Sequence, residues 1–246
     1  MSDTSGTVAV VIPARNEASR IALTVLAALR LPRVGPVVVV DDCSTDSTAR
    51  VAEESGARVV RQPERLGRTA AQRLGVDTVR ELAGTGRLCL LFLDADLGAS
   101  AAAAERLLRP VLTGAADLAL GVAVPAGAGS GRPNGGRANG GRAATRRART
   151  GVRRATGFEA AAPLGGELCL SAAAFAAATA DGAPVASGPG LIIDLLRQDF
   201  RVVEVPLDLD HRPSRQGLRA ALRELGRYRA VGRELSAHGT GHGTAR

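Results

Sequence analysis

Three continuous apolar segments lie in the first part of the chain, and polar or acidic side chains follow each of them at once. The segments are Thr7–Ile12, Val37–Val40 and Leu88–Leu93, and they consist largely of valine, isoleucine and leucine. Short apolar runs of this kind are typical of strands buried on both faces, as in a parallel sheet covered by helices. Polar clusters after such strands lie together at one edge of the sheet, where α/β folds bind ligands.

Segments with helical periodicity separate the strands. Between residues 17 and 30, for example, Ile21, Val25 and Leu29 recur on one face, as in an amphipathic helix that packs on a sheet. Strands that alternate with helices predict an α/β fold, with a mostly parallel central sheet and helices on both faces. The same patterns predict further helices at 67–82, 99–112, 190–200 and 216–236, and further strands at 57–60, 116–124 and 201–211.

The positive charge of the chain is confined to one segment. The formal net charge is +8, yet Asp117 and Glu159 enclose eight arginines and no acid, and the other 24 basic residues balance the 24 acidic ones. An arginine-rich segment can contact phosphates, an anionic membrane surface or nucleic acid. The segment contains no aromatic residue for stacking before Phe158, so nucleic acid is not expected. A solvated, flexible loop is the alternative interpretation.

Cysteine usage and hydropathy indicate the compartment. Cys43, Cys89 and Cys169 lie far apart, which is typical of free thiols in a reducing environment. No segment approaches the roughly 18 apolar residues of a membrane span, and the N-terminal residues predict a first strand rather than a signal peptide. We therefore expect a cytoplasmic protein, with peripheral contact to a membrane left open.

Acidic side chains at the ends of two predicted strands are candidate ligand contacts. Asp94 and Asp96 follow the strand at Leu88–Leu93 with one small residue between them. One or two carboxylates together with substrate phosphates are the usual way in which a protein binds Mg²⁺ or Mn²⁺. Asp42 lies just past Val37–Val40 and could accept hydrogen bonds from a base or ribose, with helix capping as the plain alternative.

Other polar residues near strand ends are candidates too. Arg15 and Glu17 follow the first strand, where they could contact a phosphate or a base, or form a charge pair in a helix. Gly67 and Arg68 begin a predicted helix, and a helix N-terminus with an arginine readily contacts phosphate. His211 follows the last predicted strand, and a neutral imidazole is a common ligand of transition metals.

Four segments in register resemble a known family. The segments "VVIPARNEASRI", "VVVVDDCSTDST", "RLGRTAAQRLGV" and "LFLDADLG" occur in this order, and they are similar to the nucleotide-sugar-dependent glycosyltransferases of family 2. These enzymes have the GT-A fold, with a Rossmann-like, mostly parallel central sheet. The later segments "PLGGELCLS" and "PLDLDHR" are similar to dolichyl-phosphate mannose synthase-like and glucosyl-3-phosphoglycerate synthase-like enzymes.

The resemblance implies roles for individual positions. Asp96 matches the metal ligand, and His211 matches a second metal ligand of the phosphoglycerate-type relatives. The implied cofactors are Mg²⁺ or Mn²⁺ and a UDP- or GDP-sugar donor. The positions implied to contact the nucleotide sugar are Pro13, Ala14, Arg15, Glu17, Asp42, Arg68, Asp94 and Ala95, together with Gly67 before Arg68.

The implied reaction transfers a hexosyl group to a lipid phosphate or a small molecule. A departing nucleoside diphosphate gains negative charge, which a divalent ion and an arginine stabilise. A hydroxyl acceptor calls for a general base, for which Glu167 and Asp194 are the candidates, whereas a lipid phosphate needs none. The phosphoglycerate-type relatives have a glutamate where this chain has Ile192, which leaves the acceptor and the anomeric outcome open.

The resemblance also divides the chain. Residues 1–125 are expected to form the half that binds the nucleotide sugar, and residues 126–157 a flexible loop rich in arginine and glycine. Residues 158–237 would form the acceptor-side half and the last helix of the same domain, and residues 238–246 a disordered tail.

Two alternatives remain. "VIPAR" also opens the sugar nucleotidyltransferases, although the glycine-rich signature with a basic residue close behind it is missing. A catalytically silent GT-A domain could bind anionic partners through its arginine-rich segment. A dehydrogenase is disfavoured, because no G-x-G-x-x-G follows the first strand.

Overall fold

A central sheet of seven strands organises the chain. The computed structural model describes residues 7–83, 88–124, 142–180, 187–211 and 218–238. The strands are β1 Thr7–Ala14, β2 Val34–Asp41, β3 Arg58–Arg61, β4 Leu88–Phe92, β5 Leu118–Ala123, β6 Leu168–Leu170 and β7 Val202–Leu207. Their order is β3-β2-β1-β4-β6-β5-β7, and only β6 is antiparallel to its neighbours. The predicted mostly parallel sheet is confirmed.

Helices cover both faces of this sheet. The predicted helix at 99–112 is divided into a 3₁₀ helix at Gly98–Ala104 and an α-helix. None of the helices in the described ranges combines the length and the apolar character that crossing a bilayer requires. The α-helices are α1 Ile21–Leu29, α2 Thr48–Glu54, α3 Arg68–Ala83, α4 Glu105–Leu112, α5 Arg142–Thr156, α6 Ala172–Thr179, α7 Pro189–Arg197 and α8 Leu218–Ala237.

Burial of β1 on both faces explains its uninterrupted apolar sequence. Val8, Val10 and Ile12 belong to the core cluster beneath α1 and α4. Ala9 and Val11 face the opposite way, into the cluster that α3, α5 and α7 help to form. Since side chains alternate along a strand, a strand covered on both faces has no position for a polar residue.

The segment predicted as a flexible loop over 126–157 is helical in its second part, so the prediction is wrong for α5. Ala144, Ala148 and Val152 recur every fourth residue and are fully buried, and α5 packs against α7 and α8. Alanine and arginine both favour helices, and small residues suffice for the buried side of a closely packed helix. The rest of the predicted loop, residues 126–141, lies outside the described residues.

His238 is the one residue of the predicted disordered tail 238–246 that the structure describes. His238, the first residue of the segment 238–246 predicted to be disordered, places Nε2 2.9 Å from an Asp194 carboxylate oxygen. Its Nδ1 lies 2.6 Å from the carbonyl oxygen of Glu234. These contacts join the end of α8 to α7, and residues 239–246 lie outside the described ranges.

Candidate active site

The candidate residues converge at one edge of the sheet. Asp42 follows β2, Asp94 and Asp96 follow β4, and His211 follows β7 a few residues later. These strands are parallel, so their carboxyl ends meet at the same edge. Because β6 is reversed, it begins at this edge, and Glu167 directly precedes it. The edge lies where the strand order turns back between β1 and β4, which is where open α/β sheets bind ligands.

A cleft of about 220 Å³ opens beyond β1, β2 and β4. Every position predicted to contact the nucleotide lines it, except Gly67. Metal-ligand candidate Asp96 lines it as well. The lining residues are Pro13, Ala14, Arg15, Glu17, Asp42, Arg68, Ala71, Asp94, Ala95 and Asp96.

Asp42 shapes one side of this cleft by fastening the turn before α3. Its carboxylate accepts hydrogen bonds from the backbone N–H groups of Leu66 at 2.8 Å and Gly67 at 3.0 Å. Gly67 has a φ of +87°, a left-handed conformation that glycine adopts at low cost. Arg15 Nη1 donates to the Asp42 carbonyl oxygen at 3.3 Å. Asp42 therefore holds the turn that presents Arg68.

Arg68 brings a cation between the carboxylates of the site. Its guanidinium forms an ion pair with Asp94, and Nη2 donates to the Gly166 carbonyl oxygen at 3.3 Å. Burial lowers the pKa of Arg68, and the negative charges of Glu167 and Asp96 oppose that shift. An arginine stays protonated at physiological pH even so, so Arg68 keeps a fixed positive charge at the wall of the cleft.

Asp94, Asp96 and His211 form a group suited to a divalent ion. One potential ligand atom of each lies within 4.8 Å of the other two. His211 Nδ1 is 3.2 Å from Asp96 Oδ1 and 3.8 Å from Asp94 Oδ2. The carboxylates match the oxygen ligands that Mg²⁺ and Mn²⁺ prefer, and the imidazole adds a nitrogen ligand. The chemistry of this donor set fits the predicted ion, and Asp94 joins the two residues predicted as ligands.

Arg20, which the sequence analysis did not single out, fastens together the two loops that carry these ligands. Its Nη1 donates to the carbonyl oxygens of Asp96 and Asp210, each at 2.6 Å. Its Nη2 donates to Asp210 Oδ2 at 2.8 Å. One side chain before α1 thus fixes the loop after β4 against the loop after β7.

Thr24, one helical turn after Arg20 in α1, supports the same loop after β4. Its fully buried hydroxyl donates to the Ala95 carbonyl oxygen at 2.9 Å and accepts from the Gly98 N–H at 2.8 Å. On the other loop, the Asp210 N–H donates to Ser100 Oγ at 2.9 Å. The sequence carries one signal for this network, since Thr24 is a polar residue on the apolar face of α1.

A second cavity of about 410 Å³ adjoins the cleft and shares Arg68 with it. Glu167 and His211 line this cavity, and Glu167 Oε1 lies 3.7 Å from His211 Nε2. Glu167 is 5% exposed, and among the described residues nothing donates a hydrogen bond to that oxygen. A buried carboxylate without a full set of partners is costly, and functional sites are where such costs concentrate.

Asp194, the other predicted base, occupies a different environment. It lies on α7 with half of its side chain exposed, and it pairs with His238. Within the described part of the chain, Asp194 lines neither the cleft nor the second cavity. Ile192, on the same helix, is 1% exposed. The fold brings Glu167 to the metal-ligand group and holds Asp194 beside the end of α8.

The arginines of α5 line a wide groove of about 630 Å³. Arg146, Arg149 and Arg153 are exposed along it, and Arg149 Nε donates to the Ala160 carbonyl oxygen at 3.0 Å. Thr145 lines both this groove and the second cavity. The basic helix therefore lies next to the candidate active site.

A divalent-ion ligand group beside a cleft at the carboxyl ends of a mostly parallel sheet defines a metal-dependent transferase that uses a nucleotide-linked donor. The family model described as Glycosyl transferase family 2 matches residues 9–160. The chain therefore belongs to the family 2 glycosyltransferases, and the predicted GT-A fold and nucleotide-sugar-dependent activity are confirmed. The family match favours this activity over that of a sugar nucleotidyltransferase.

Solved structures of one enzyme are similar over nearly the whole chain. Glucosyl-3-phosphoglycerate synthase from Mycobacterium tuberculosis, in complex with Mn²⁺, UDP-glucose and phosphoglyceric acid, is 27% identical and has a TM-score of 0.70. That match covers 98% of this chain and 81% of the other. The same enzyme with Mg²⁺ and UDP is 26% identical, with a TM-score of 0.68 over 95% of this chain and 79% of the other. A search of curated proteins found no match.

Proposed function

We propose that this enzyme transfers a sugar from a UDP-sugar to a hydroxyl group of a small-molecule acceptor, with Mn²⁺ or Mg²⁺ held by Asp94, Asp96 and His211. The observation that carries the proposal is the convergence of these three side chains, whose ligand atoms lie within 4.8 Å of one another. The similar synthase binds UDP-glucose with Mn²⁺, which favours UDP over GDP in the donor.

The donor nucleotide occupies the cleft beyond β1, β2 and β4. Pro13 and Ala14 at the end of β1, and Arg15 and Glu17 in the turn after it, bind the base and ribose. Asp42 contributes to nucleotide binding indirectly, because its carboxylate accepts hydrogen bonds from N–H groups of the turn before α3. Arg68 lines the cleft beside Asp94, and its positive charge supports binding of the diphosphate there.

The leaving group sets what the site must stabilise. Cleavage of the glycosidic bond leaves negative charge on the nucleoside diphosphate, and a bound divalent ion supplies Lewis-acid stabilisation of that charge. Arg68 supplies a second, fixed positive charge from the protein. Arg20 and Thr24 hold the turn at Asp96 in place, so that little reorganisation accompanies charge development.

The acceptor occupies the second cavity, and Glu167 is the base that receives its hydroxyl proton. Glu167 lines that cavity beside His211, and within the described residues its buried Oε1 accepts no hydrogen bond. Glu167 Oε1 lies 3.7 Å from His211 Nε2, and this closeness to the ligand group supports its role as the proton acceptor. Asp194 remains the second predicted base, and its pairing with His238 and its exposure support it less.

A lipid phosphate acceptor is the second candidate, favoured by the groove along α5. Arg146, Arg149 and Arg153 line that groove, and Thr145 joins it to the acceptor cavity. An anionic membrane surface would contact the same arginines. The free cysteines Cys43, Cys89 and Cys169 fit a cytoplasmic enzyme acting there.

A thermal-shift and turnover experiment tests the main proposal. UDP- and GDP-sugars are added with and without Mn²⁺ or Mg²⁺, and we expect a UDP-sugar to raise the Tm only together with the metal. His211→Ala should remove the metal-dependent part of the shift and leave the Tm of the free protein near that of the wild type. An unchanged Tm with every donor and metal would instead indicate a catalytically silent domain.

A vesicle experiment tests the second candidate. The triple change of Arg146, Arg149 and Arg153 to Gln should reduce cosedimentation with phosphatidylglycerol vesicles at low salt. The control changes Arg30, Arg50 and Arg58, which are also exposed, to Gln. Equal cosedimentation of the two variants would exclude α5 as the membrane contact.

A further inference from the structure

The acceptor cavity contains an acid to which the proposed reaction assigns no task. Glu234 on α8 lines this cavity, as do Glu167 and Arg68. Val231 and Leu235, its neighbours along the helix, are 4% and 6% exposed, so Glu234 lies on the side of α8 that faces the protein. A carboxylate in such a position costs free energy unless polar groups meet it.

The segment before α7 makes room for this carboxylate. A Cβ atom at Gly188 would lie 2.5 Å from Glu234 Oε1, and one at Gly190 would lie 2.8 Å from the same atom. The Gly190 N–H donates to Oε1 at 2.9 Å, at the positive N-terminal end of α7. Two glycines therefore accommodate Glu234, and one hydrogen bond orients it.

Burial raises the pKa of Glu234, while the Gly190 hydrogen bond and the nearby His238 counteract that rise. The other polar side chains that line the cavity include the hydroxyl groups of Thr69, Thr145 and Ser187. The Ser187 hydroxyl already accepts from Gln72 Nε2 at 2.8 Å. The lining therefore contains several groups that orient a polar ligand without charge.

The charges around the cavity favour one class of ligand. Among the described lining residues, Glu167 and Glu234 are acidic and Arg68 is the arginine, and Arg68 is already paired with Asp94. The phosphoglyceric acid of the similar synthase is an anion. An anionic group placed next to Glu234 would be repelled, whereas a hydroxyl or ammonium group would donate a hydrogen bond to it.

We infer that Glu234 determines acceptor specificity, by accepting a hydrogen bond from a hydroxyl or ammonium group at the end of the acceptor away from its reacting hydroxyl. The acceptor is then a neutral or cationic polyhydroxy compound. This inference rests on the proposed small-molecule transfer reaction. The plain alternative is that Glu234 only caps the N-terminus of α7.

The experiment compares acceptors on the full chain with UDP-glucose and Mn²⁺. Glycerol and a free hexose serve as neutral acceptors, a hexosamine as the cationic one and 3-phosphoglycerate as the anion, each measured for binding and for turnover. We expect the wild type to prefer the polyols or the hexosamine to phosphoglycerate by at least about tenfold in kcat/KM. Glu234→Gln should raise the KM for the preferred acceptor about tenfold, with little change in donor hydrolysis.

Arg233→Gln is the matched control, because Arg233 neighbours Glu234 on α8, is exposed, and does not line the cavity in the described structure. A capping role alone would lower the Tm of Glu234→Gln and leave the acceptor KM unchanged, which would overturn the inference. Preference for phosphoglycerate, or failure of every polyol and the hexosamine to bind, would overturn it as well. The comparison of acceptors with the wild-type enzyme tests the inference even if Glu234→Gln does not fold. Loss of metal-dependent donor binding, by contrast, would refute the proposed function itself.

Discussion

The proposed donor cleft and the proposed acceptor cavity share Arg68 but are built in different ways. The cleft is lined by residues that come within a few positions of a strand end, such as Asp42 and Asp94. The cavity combines the end of β5 and the segment before β6 with residues of two packed helices, Thr145 on α5 and Glu234 with its neighbours on α8. Ladder hydrogen bonds fix where a strand ends, whereas a wall made of helices depends on how those helices pack. The first kind of site can be predicted from a sequence, whereas the second can be recognised only in the tertiary structure.

Replacing Asp96 by Asn should have the largest effect on the donor side. The substitution keeps the shape of the side chain but removes the charge of a proposed metal ligand, so we expect metal-dependent turnover to fall more than about a hundredfold. Steady-state assays over a Mn²⁺ series measure the loss. Asp208→Asn, an exposed aspartate in the other Asp-x-Asp of the chain, is the control. Full activity of Asp96→Asn would show that the cleft works without this ligand.

Replacing Arg20 by Ala should separate the ligand loops without touching a ligand. Arg20 bonds both the Asp96 and the Asp210 carbonyl oxygens, and residues that orient metal ligands typically contribute about ten- to a hundredfold to metal affinity. Titration of Mn²⁺ in the presence of UDP should show a weakening of that size. Arg50→Ala removes only an exposed ion pair with Glu54 and should change little. Equal affinities for the two variants would mean that the loops hold their own geometry.

Replacing Gly151 by Ala should loosen the acceptor side alone. A Cβ at Gly151 would lie 2.4 Å from the Leu235 side chain, and overpacking of this kind costs about 1–3 kcal/mol, partly offset by the higher helix propensity of alanine. Urea unfolding should therefore show destabilisation by about 1 kcal/mol. Gly226→Ala on α8 meets no atom within 4 Å and should stabilise the protein instead. A gain in stability from Gly151→Ala would mean that α5 and α8 adjust freely.

The smallest predicted effect concerns the ion pair that joins β5 to the start of β7. Burial acts to raise the pKa of Asp117, but hydrogen bonds and the charge of Arg201 outweigh it and hold the pKa below its usual value. A depressed folded-state pKa stabilises the protein above the unfolded value of about 4, and this contribution disappears as the pH falls through the folded-state pKa. Asp117→Asn should thus cost up to about 1 kcal/mol at pH 7. Urea unfolding near pH 3 should show a smaller difference, and an equal deficit at both pH values would contradict the assignment.

Most of the donor side could be predicted because its residues follow buried strands directly. The apolar run of β4 locates Asp94 and Asp96, and the runs of β1 and β2 locate Arg15 and Asp42. Parallel pairing then brings these ends together without any knowledge of side-chain packing. The resemblance to family 2 named the same positions, and the cleft contains them.

The rest could not be predicted because it depends on contacts between residues distant in sequence. Arg20 forms a hydrogen bond with Asp210, which lies 190 positions further along the chain, and no local sequence pattern predicts such a contact. The helix α5 was not predicted because its buried side consists mainly of small residues, Ala144, Ala148 and Gly151, which carry little hydrophobic signal. Glu234 looks like one more charged residue of a surface helix until the packing of α8 turns it inward.

The reversed direction of β6 has a consequence for how this enzyme class can change its chemistry. A strand that starts at the active edge holds Glu167 there, directly before the hydrogen-bonded backbone of Leu168–Leu170. The residues just upstream of β6 can therefore vary in sequence while the strand beginnings and endings around them stay fixed. On the proposed assignment of the two sites, substitutions ahead of this one short strand can alter the pocket for the recipient molecule, while the residues that line the cleft for the nucleotide stay in place.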